Sequence, residues 1–214
     1  MIQSLKLDPE KVVYIPNYID IPKNYFPNLS ELESNQLLFV GRLSKEKGID
    51  VSIKAIKTIL QTNPNLIIKY EIIGDGPEKY NLENLISNLG LKDYVNLLGR
   101  IDNTILKKYY EKSGIIIMPS VWLENNPIVA LEAMKSGRPI IASNIGGFPD
   151  LIEDGKNGYL FKVGNHIDLA EKIQKLIGNQ EKIIQMGSYG FEKVKSEYNS
   201  ELFFNKLLSL YMKD

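Results

Sequence analysis

Glu124 and Glu132 are separated by seven residues in the run Glu-Asn-Asn-Pro-Ile-Val-Ala-Leu-Glu. Within it Asn126 is a natural N-cap and Pro127 suits the first helical position, and Gly137 beyond it suits the stop, which predicts a helix over residues 127 to 136. The first residues of that helix are apolar almost all round. It is therefore expected to lie buried on most sides and to leave Glu132 without a solvated face. A buried carboxylate needs partners. A basic side chain is one; the hydroxyl groups of a ligand are the other, and the setting favours the ligand. Glu124 precedes a helix N-terminus whose free N–H groups attract phosphate, while carboxylates accept hydrogen bonds from hydroxyls. Hydroxyls beside phosphate describe a sugar nucleotide.

Cations for such a ligand stand elsewhere in the chain. Arg42 follows Gly41 behind the apolar run Leu37–Val40, and Lys47 comes five positions later, before Gly48. Both can reach one diphosphate. A planar guanidinium at a strand end suits bidentate oxyanion binding, and a second cation would stabilise charge developing on a departing diphosphate. Taken alone, Lys45-Glu46-Lys47 reads as a solvated turn. The sequence contains no Asp-x-Asp motif, so fixed cations are expected in place of a divalent metal and no metal site is assigned.

These residues need a parallel sheet to position them. Short apolar runs recur at Val12–Ile15, Leu37–Val40, Ile67–Ile73, Val95–Leu98, Ile115–Met118, Ile140–Ala142 and Tyr159–Phe161. Several are unbroken rather than alternating, as in strands buried on both faces. Amphipathic stretches of helical length lie between them at Ile49–Thr62, Glu78–Leu89, Asn103–Lys112 and Pro127–Ser136. Strand and helix in alternation predict an α/β, doubly wound, Rossmann-like parallel sheet. Beyond about residue 165 only helical patterns follow, at Ile167–Ile177, Glu181–Glu197 and Glu201–Met212. The reading divides the chain into a Pro-rich lead-in (1–35), a Rossmann-like domain (36–180) and C-terminal helices (181–214). The last helix carries more apolar residues than one buried face requires, which predicts a partner surface.

Ligands of open parallel sheets gather outside the carboxyl ends of the strands. The residues just beyond each run are then the candidates: Gly41-Arg42, Gly74-Asp75-Gly76, Gly99-Arg100, Pro119 to Asn126, and Ser143 to Gly147.

The composition removes other classes. Lys plus Arg and Asp plus Glu both number 26 among 214 residues, so no global field selects nucleic acid or an anionic membrane as the main partner. The absence of cysteine removes disulfides, thiol nucleophiles and thiolate metal sites, and fits a cytoplasmic protein. The first residues lack a signal-peptide pattern and no run is long enough to span a bilayer, so membrane contact is expected to be peripheral at most. The single histidine, His166, follows Asn165 at a helix start and is read as structural. With no Gly-x-Ser-x-Gly elbow, hydrolase chemistry lacks support.

The segment from 37 to 152, with LLFVGRLSKEKGID, EIIGDGPE, VNLLGR and MPSVWLENNPIVALEAMKSGRPIIASNIGGFPDLI, resembles the C-terminal, donor-binding domain of the family 4 retaining glycosyltransferases. IPNYID at Ile15–Asp20 and the trailing helices extend that resemblance over nearly the whole chain. The Glu-x7-Glu pair and the Gly-Arg-x4-Lys element are its most specific motifs; Gly74-Asp75-Gly76-Pro77 is weaker. The resemblance implies one half of a two-Rossmann-domain (GT-B) enzyme that transfers a sugar from a UDP or GDP type donor with retention, without a cofactor. It implies that Arg42 and Lys47 hold the diphosphate, Glu132 the ribose hydroxyls and Glu124 the transferred sugar. Arg100 and Ile101 would border the base, and the amides of Ile128 and Val129 would touch the distal phosphate. The form Glu124-Asn125-Asn126-Pro127 departs from the commoner Glu-Gly-Phe-Gly, and Pro127 removes one N–H donor.

The same resemblance implies that the acceptor domain is missing. It would come from a separate chain or through self-association, and the isolated chain is expected to be inactive. Cell-surface polysaccharide or lipopolysaccharide synthesis is the natural family context. The alternative is a non-catalytic nucleotide-sugar-binding module, as a subunit of a split transferase or a truncated remnant. A nicotinamide dehydrogenase is weaker, because Gly74-Asp75-Gly76 lacks the third glycine of the dinucleotide fingerprint. A nucleotide-sugar epimerase has a related architecture and would also need the missing half.

Overall fold

The computed structural model describes residues 12–212; the expectations for the first eleven residues lie outside that range. Six strands form one all-parallel sheet: β1 (Glu33–Val40), β2 (Lys69–Ile73), β3 (Val95–Gly99), β4 (Ser113–Met118), β5 (Ile140–Ser143) and β6 (Gly158–Phe161), in the order β3-β2-β1-β4-β5-β6. The helices are α1 (Ile49–Thr62), α2 (Lys79–Asn88), α3 (Asn103–Lys112), α4 (Ile128–Lys135), α5 (Phe148–Leu151), α6 (His166–Gln174), α7 (Gln180–Glu197) and α8 (Ser200–Tyr211). This is the doubly wound Rossmann-like arrangement that the sequence pattern predicts. The strand order reverses between β1 and β4, and ligands of open parallel sheets generally bind beside such a reversal, outside the carboxyl ends of the strands.

The unbroken apolar runs serve two cores. Leu37, Phe39, Ile115, Ile117 and Ile141 face one side of the sheet with Ile53 and Ile56 of α1 and Ile173 of α6. Leu38, Ile116, Met118, Ile140 and Ala142 face the other with Leu106 and Tyr110 of α3 and Leu131 and Met134 of α4. Each of these large side chains contributes on the order of 1.5–3 kcal/mol by leaving water.

Three local expectations are corrected. Val12–Ile15 forms no strand: Val13 and Tyr14 are exposed, and Pro16 lacks the N–H that a ladder would need. The lead-in is held instead by Ile19 N–H on the Tyr198 carbonyl at 2.9 Å. Asn126 does not cap α4. The cap position is Pro127, with no side-chain bond to the helix, while the Asn126 side-chain amide donates to the Tyr14 hydroxyl at 3.2 Å and the Asn126 backbone carbonyl accepts from the Asn17 amide at 2.6 Å. Pro127 therefore sits one place earlier than expected, and the N–H groups of Ile128 and Val129 remain.

Arg138 lies fully buried in the turn before β5. Its guanidinium donates to the carbonyls of Tyr110 (2.9 Å), Gly137 (3.2 Å), Asn28 (2.7 Å) and Glu111. It joins the end of α3, the α4–β5 turn and the lead-in. Burial lowers its pKa to about 10, which leaves it charged at neutral pH.

α8 has no fully buried residue. Phe203 and Phe204 stack near Tyr18, with ring centroids at 4.6 and 5.7 Å, while Leu202, Leu208 and Tyr211 stay exposed.

Glu153, beyond α5, accepts from Lys193 of α7 at 2.8 Å, Lys156 at 2.9 Å and Tyr189 at 2.9 Å. These three donors, Lys193 foremost, hold its carboxyl at about 2. A folded-state pKa depressed from 4.5 adds stability that is present above 4.5 and lost as pH falls from 4.5 to 2. Glu153 is a third exposed, so solvent screening cuts that contribution to about 1 kcal/mol. Glu153→Gln is expected to lower the melting midpoint at pH 7 by about 2–4 °C and to flatten its fall between pH 4.5 and 2. Thermal denaturation across that range checks it; a variant as acid-sensitive as the parent would disprove the assignment.

Candidate functional site

Backbone approach builds the crevice first. The turns after β1, β2 and β3 are laced together: Gly41 N–H bonds the Ile73 carbonyl at 3.0 Å, Leu43 N–H that of Asp75 at 3.0 Å, and Gly74 N–H that of Gly99 at 2.8 Å. A Cβ on Gly74 would lie 1.7 Å from the Gly41 carbonyl oxygen, so only glycine lets these turns touch. The Asp75 carboxylate is engaged locally, accepting from Gly76 N–H at 2.8 Å.

Beyond these turns lies a cleft of ≈ 620 Å³ bordered by Gly41, Arg42, Asp75, Gly76, Arg100 and Ile101. Six of the sequence-predicted site residues thus meet in one place. A second cavity of ≈ 410 Å³ adjoins it through Asn103 and Leu106 at the start of α3, and Glu132 lines that one. Arg42 is exposed, and among the described residues no carboxylate pairs with it.

The other four predicted residues stand on the β1 and β4 sides of the switch point. Lys47 ends a single 3-10 turn, Lys45–Lys47, in place of a wholly solvated one; its Glu46 carbonyl takes Val121 N–H at 2.8 Å. The Lys47 ammonium meets the Glu124 carboxylate at 2.5 Å, and Ser120 donates to the same oxygen at 2.9 Å. A cation and a carboxylate that were each expected to face a ligand are therefore paired with one another. Gly147 N–H holds the Glu124 carbonyl at 2.6 Å, which fixes the loop before α4. At the start of α4, Ala130 N–H bonds the Pro127 carbonyl at 2.9 Å. The amides of Ile128 and Val129 have no partner among the described residues. None of Lys47, Glu124, Ile128 and Val129 borders either cavity.

Glu132 also differs from expectation. It is half-buried rather than enclosed, because α4 turns it, together with Lys135, toward the second cavity. Its partner is no basic side chain but the hydroxyl of Tyr110, which donates to Oε2 at 3.0 Å. Tyr110 is itself buried, and desolvation together with the Glu132 charge pushes its phenol well above the ordinary value, keeping it a donor. Sequence reasoning missed Tyr110 and Ser120. Ser120 lay inside the run already marked beyond β4; Tyr110 carried no signal beyond its apolar place on a helix. His166 opens α6 behind the Asn165 cap, apart from both cavities.

Among the described residues no three His, Asp or Glu side chains gather as metal ligands, and no helix is long and apolar enough to cross a membrane.

The chain is similar to known proteins over most of its length. It is 35% identical over 196 residues to an uncharacterized glycosyltransferase of Haemophilus influenzae, covering 87% of this chain and 53% of that protein. It is 28% identical over 180 residues to the amylovoran biosynthesis glycosyltransferase AmsK of Erwinia amylovora, covering 82% and 44%. Its fold matches a mutant of S. aureus TarM, solved with fondaparinux, alpha-GlcNAc-glycerol and UDP, at a TM-score of 0.85 and 27% identity, over 98% of this chain and 41% of that one. The chain spans about half the length of the curated relatives it matches. The family pattern described as Glycosyl transferases group 1 matches residues 20–193: the chain belongs to that glycosyltransferase family.

Proposed function

We propose that this chain is the donor-binding part of a retaining glycosyltransferase that takes a sugar from a UDP or GDP type donor. The observation that carries the reading is the cleft at the carboxyl ends of β1, β2 and β3, with the exposed Arg42 guanidinium on its border. The half-buried Glu132 lines the cavity that adjoins it, while the Lys47–Glu124 pair and the Ile128 and Val129 amides, without a partner among the described residues, follow β1 and β4. Arg42 and Lys47 would hold the diphosphate, with the Ile128 and Val129 amides on its distal phosphate. Glu132 would take the ribose hydroxyls, Arg100 and Ile101 the base, and Glu124 the transferred sugar. Gly41, Asp75 and Gly76 would form the floor by backbone approach.

The chemistry asked of these residues is positional and electrostatic. Charge grows on the diphosphate as the glycosidic bond breaks, and Arg42 and Lys47 would be the fixed cations that stabilise it. The departing diphosphate can accept the proton of the incoming hydroxyl, so no strong protein base is demanded. Retention, a cytoplasmic location and a role in surface polysaccharide assembly belong to this reading; the name of the Erwinia relative supports the last. Relatives about twice as long suggest that the acceptor site lies on a further domain, of the same or another chain. A chain that binds the donor without turnover is the second reading.

Calorimetric titration with UDP, GDP, ADP and NAD tests the proposal. One nucleoside diphosphate is expected to bind selectively, and Glu132→Ala to weaken it about tenfold through loss of hydrogen bonds to a charged acceptor. Equal binding of NAD, or no effect of Glu132→Ala, would sink the assignment.

A further inference from the structure

Tyr110 connects two parts of the crevice that the proposed donor would bridge. α3 begins at Asn103, beside the Arg100–Ile101 turn that borders the first cavity, and ends near Glu132, which lines the second. Between those ends the Tyr110 hydroxyl donates to Glu132 Oε2 at 3.0 Å from a site only 3% exposed. The Tyr110 backbone is pinned in turn, its carbonyl accepting from the fully buried Arg138 at 2.9 Å. The carboxylate is thus held by a rigid aromatic on a helix whose own start fixes the neighbouring subsite. A glutamate has three rotatable side-chain bonds, and leaving them unrestrained costs binding entropy each time a ligand orders them.

We propose that Tyr110 is a positioning residue that sets how strictly the site demands ribose hydroxyls. It donates to Oε2 and so holds the carboxylate with Oε1 as the unengaged acceptor oxygen for them. A Tyr hydroxyl bonds a carboxylate only by donating to it, and an ionised carboxylate can only accept. A ligand group meeting Glu132 must therefore itself be a donor, as the 2′- and 3′-hydroxyls of a ribonucleotide are. This inference rests on the reading of Glu132 as a ribose contact.

The test compares UDP and GDP with their 2′-deoxy and 3′-deoxy forms, by calorimetry on the purified chain, in four backgrounds: parent, Tyr110→Phe, Glu132→Ala and the double variant. The parent is expected to favour a ribo over a deoxy form about tenfold, the worth of a hydrogen bond to a charged group. Tyr110→Phe is expected to shrink that ratio to about twofold while leaving affinity for the deoxy form nearly unchanged, because the orienting bond alone is lost. In the Glu132→Ala background the same substitution should change nothing, as coupling through Glu132 requires. A merely structural tyrosine would weaken ribo and deoxy forms alike, and equally with or without Glu132; either result overturns the proposal. Tyr110→Met, which fills the same apolar space, repeats the measurement should the phenylalanine variant fold poorly. If the parent binds neither UDP nor GDP, the donor-site reading falls and this inference with it. If the parent discriminates ribose and Tyr110→Phe does so equally well, only the role of Tyr110 falls.

Discussion

Arg138→Met is expected to destabilise the chain by about 3–5 kcal/mol, as breaking a buried charged network does. The guanidinium is fully buried and makes its hydrogen bonds to four carbonyls, those of Tyr110, Gly137, Asn28 and Glu111. Methionine fills similar volume but donates nothing, so each carbonyl loses a partner at a cost of about 1–3 kcal/mol where water cannot replace it. The midpoint should fall by roughly 6–20 °C, taking about 2–4 °C per kcal/mol for a chain of this size. Arg138→Lys should recover only part of the loss, because an ammonium has three donors and no planar fork. Denaturant unfolding of both variants checks this. A loss under about 1 kcal/mol, the range of an ordinary surface substitution, would mean that water reaches those carbonyls.

The same residue marks where the sequence stops being legible. The strands β1 to β6 and every helix but the short α5 follow from local signals: unbroken apolar runs for the doubly covered strands, amphipathic spacing for the helices, glycine and asparagine at their ends. α1 and α3 fall at the expected bounds, Ile49–Thr62 and Asn103–Lys112. These signals are short-range, and so they can be read along the chain. What was missed is long-range. Asn126 has the chemistry of a cap, yet it bonds Tyr14 and Asn17, 112 and 109 positions away. Val12–Ile15 has the composition of a strand, but among the described residues no strand pairs with it. Arg138 within Gly-Arg-Pro gave no hint of four carbonyls converging from three parts of the chain.

The candidate site divides along the same line. Glycines after strand ends, and a cation or carboxylate beside them, are visible because the carboxyl edge of a parallel sheet follows from the strand pattern. Which charges neutralise one another is invisible, because Lys47 and Glu124 lie 77 positions apart. Glu132 was marked for an apolar helix surround, and its aqueous side depends on the rotation of α4 over the sheet. Tyr110 shares the apolar helical spacing of any core aromatic, so its bond to Glu132 could come only from the packing of α3 against α4.

Arg42→Ala is expected to weaken nucleoside diphosphate binding about a hundredfold, some 2.7 kcal/mol, and Lys47→Ala to cost distinctly less. The two cations differ in what surrounds them. Lys47 is held 2.5 Å from Glu124, so the pair offers an approaching anion little net charge, and full contact with Lys47 requires that bond to be given up. Arg42 stands exposed at the edge of the ≈ 620 Å³ cleft, with no carboxylate partner among the described residues. A unit charge about 4 Å from a phosphate oxygen is worth roughly 4 kcal/mol at an effective dielectric of 20, and loss of the two-pronged guanidinium contact comes on top of it. Desolvation and flexibility take part of that back, which brings the net to the hundredfold scale. Removing Lys47 has a second effect: it uncovers the Glu124 charge, which then repels the diphosphate. Lys47→Ala with Glu124→Gln should therefore bind better than Lys47→Ala alone, whereas a clamp acting through Lys47 by direct contact only would gain nothing from the second change. Titration of UDP and GDP against the three variants and the parent at two salt concentrations decides it. If Lys47→Ala costs as much as Arg42→Ala, the ion pair opens fully on binding and both cations grip the diphosphate; if Arg42→Ala costs less than threefold, the guanidinium is no part of the clamp.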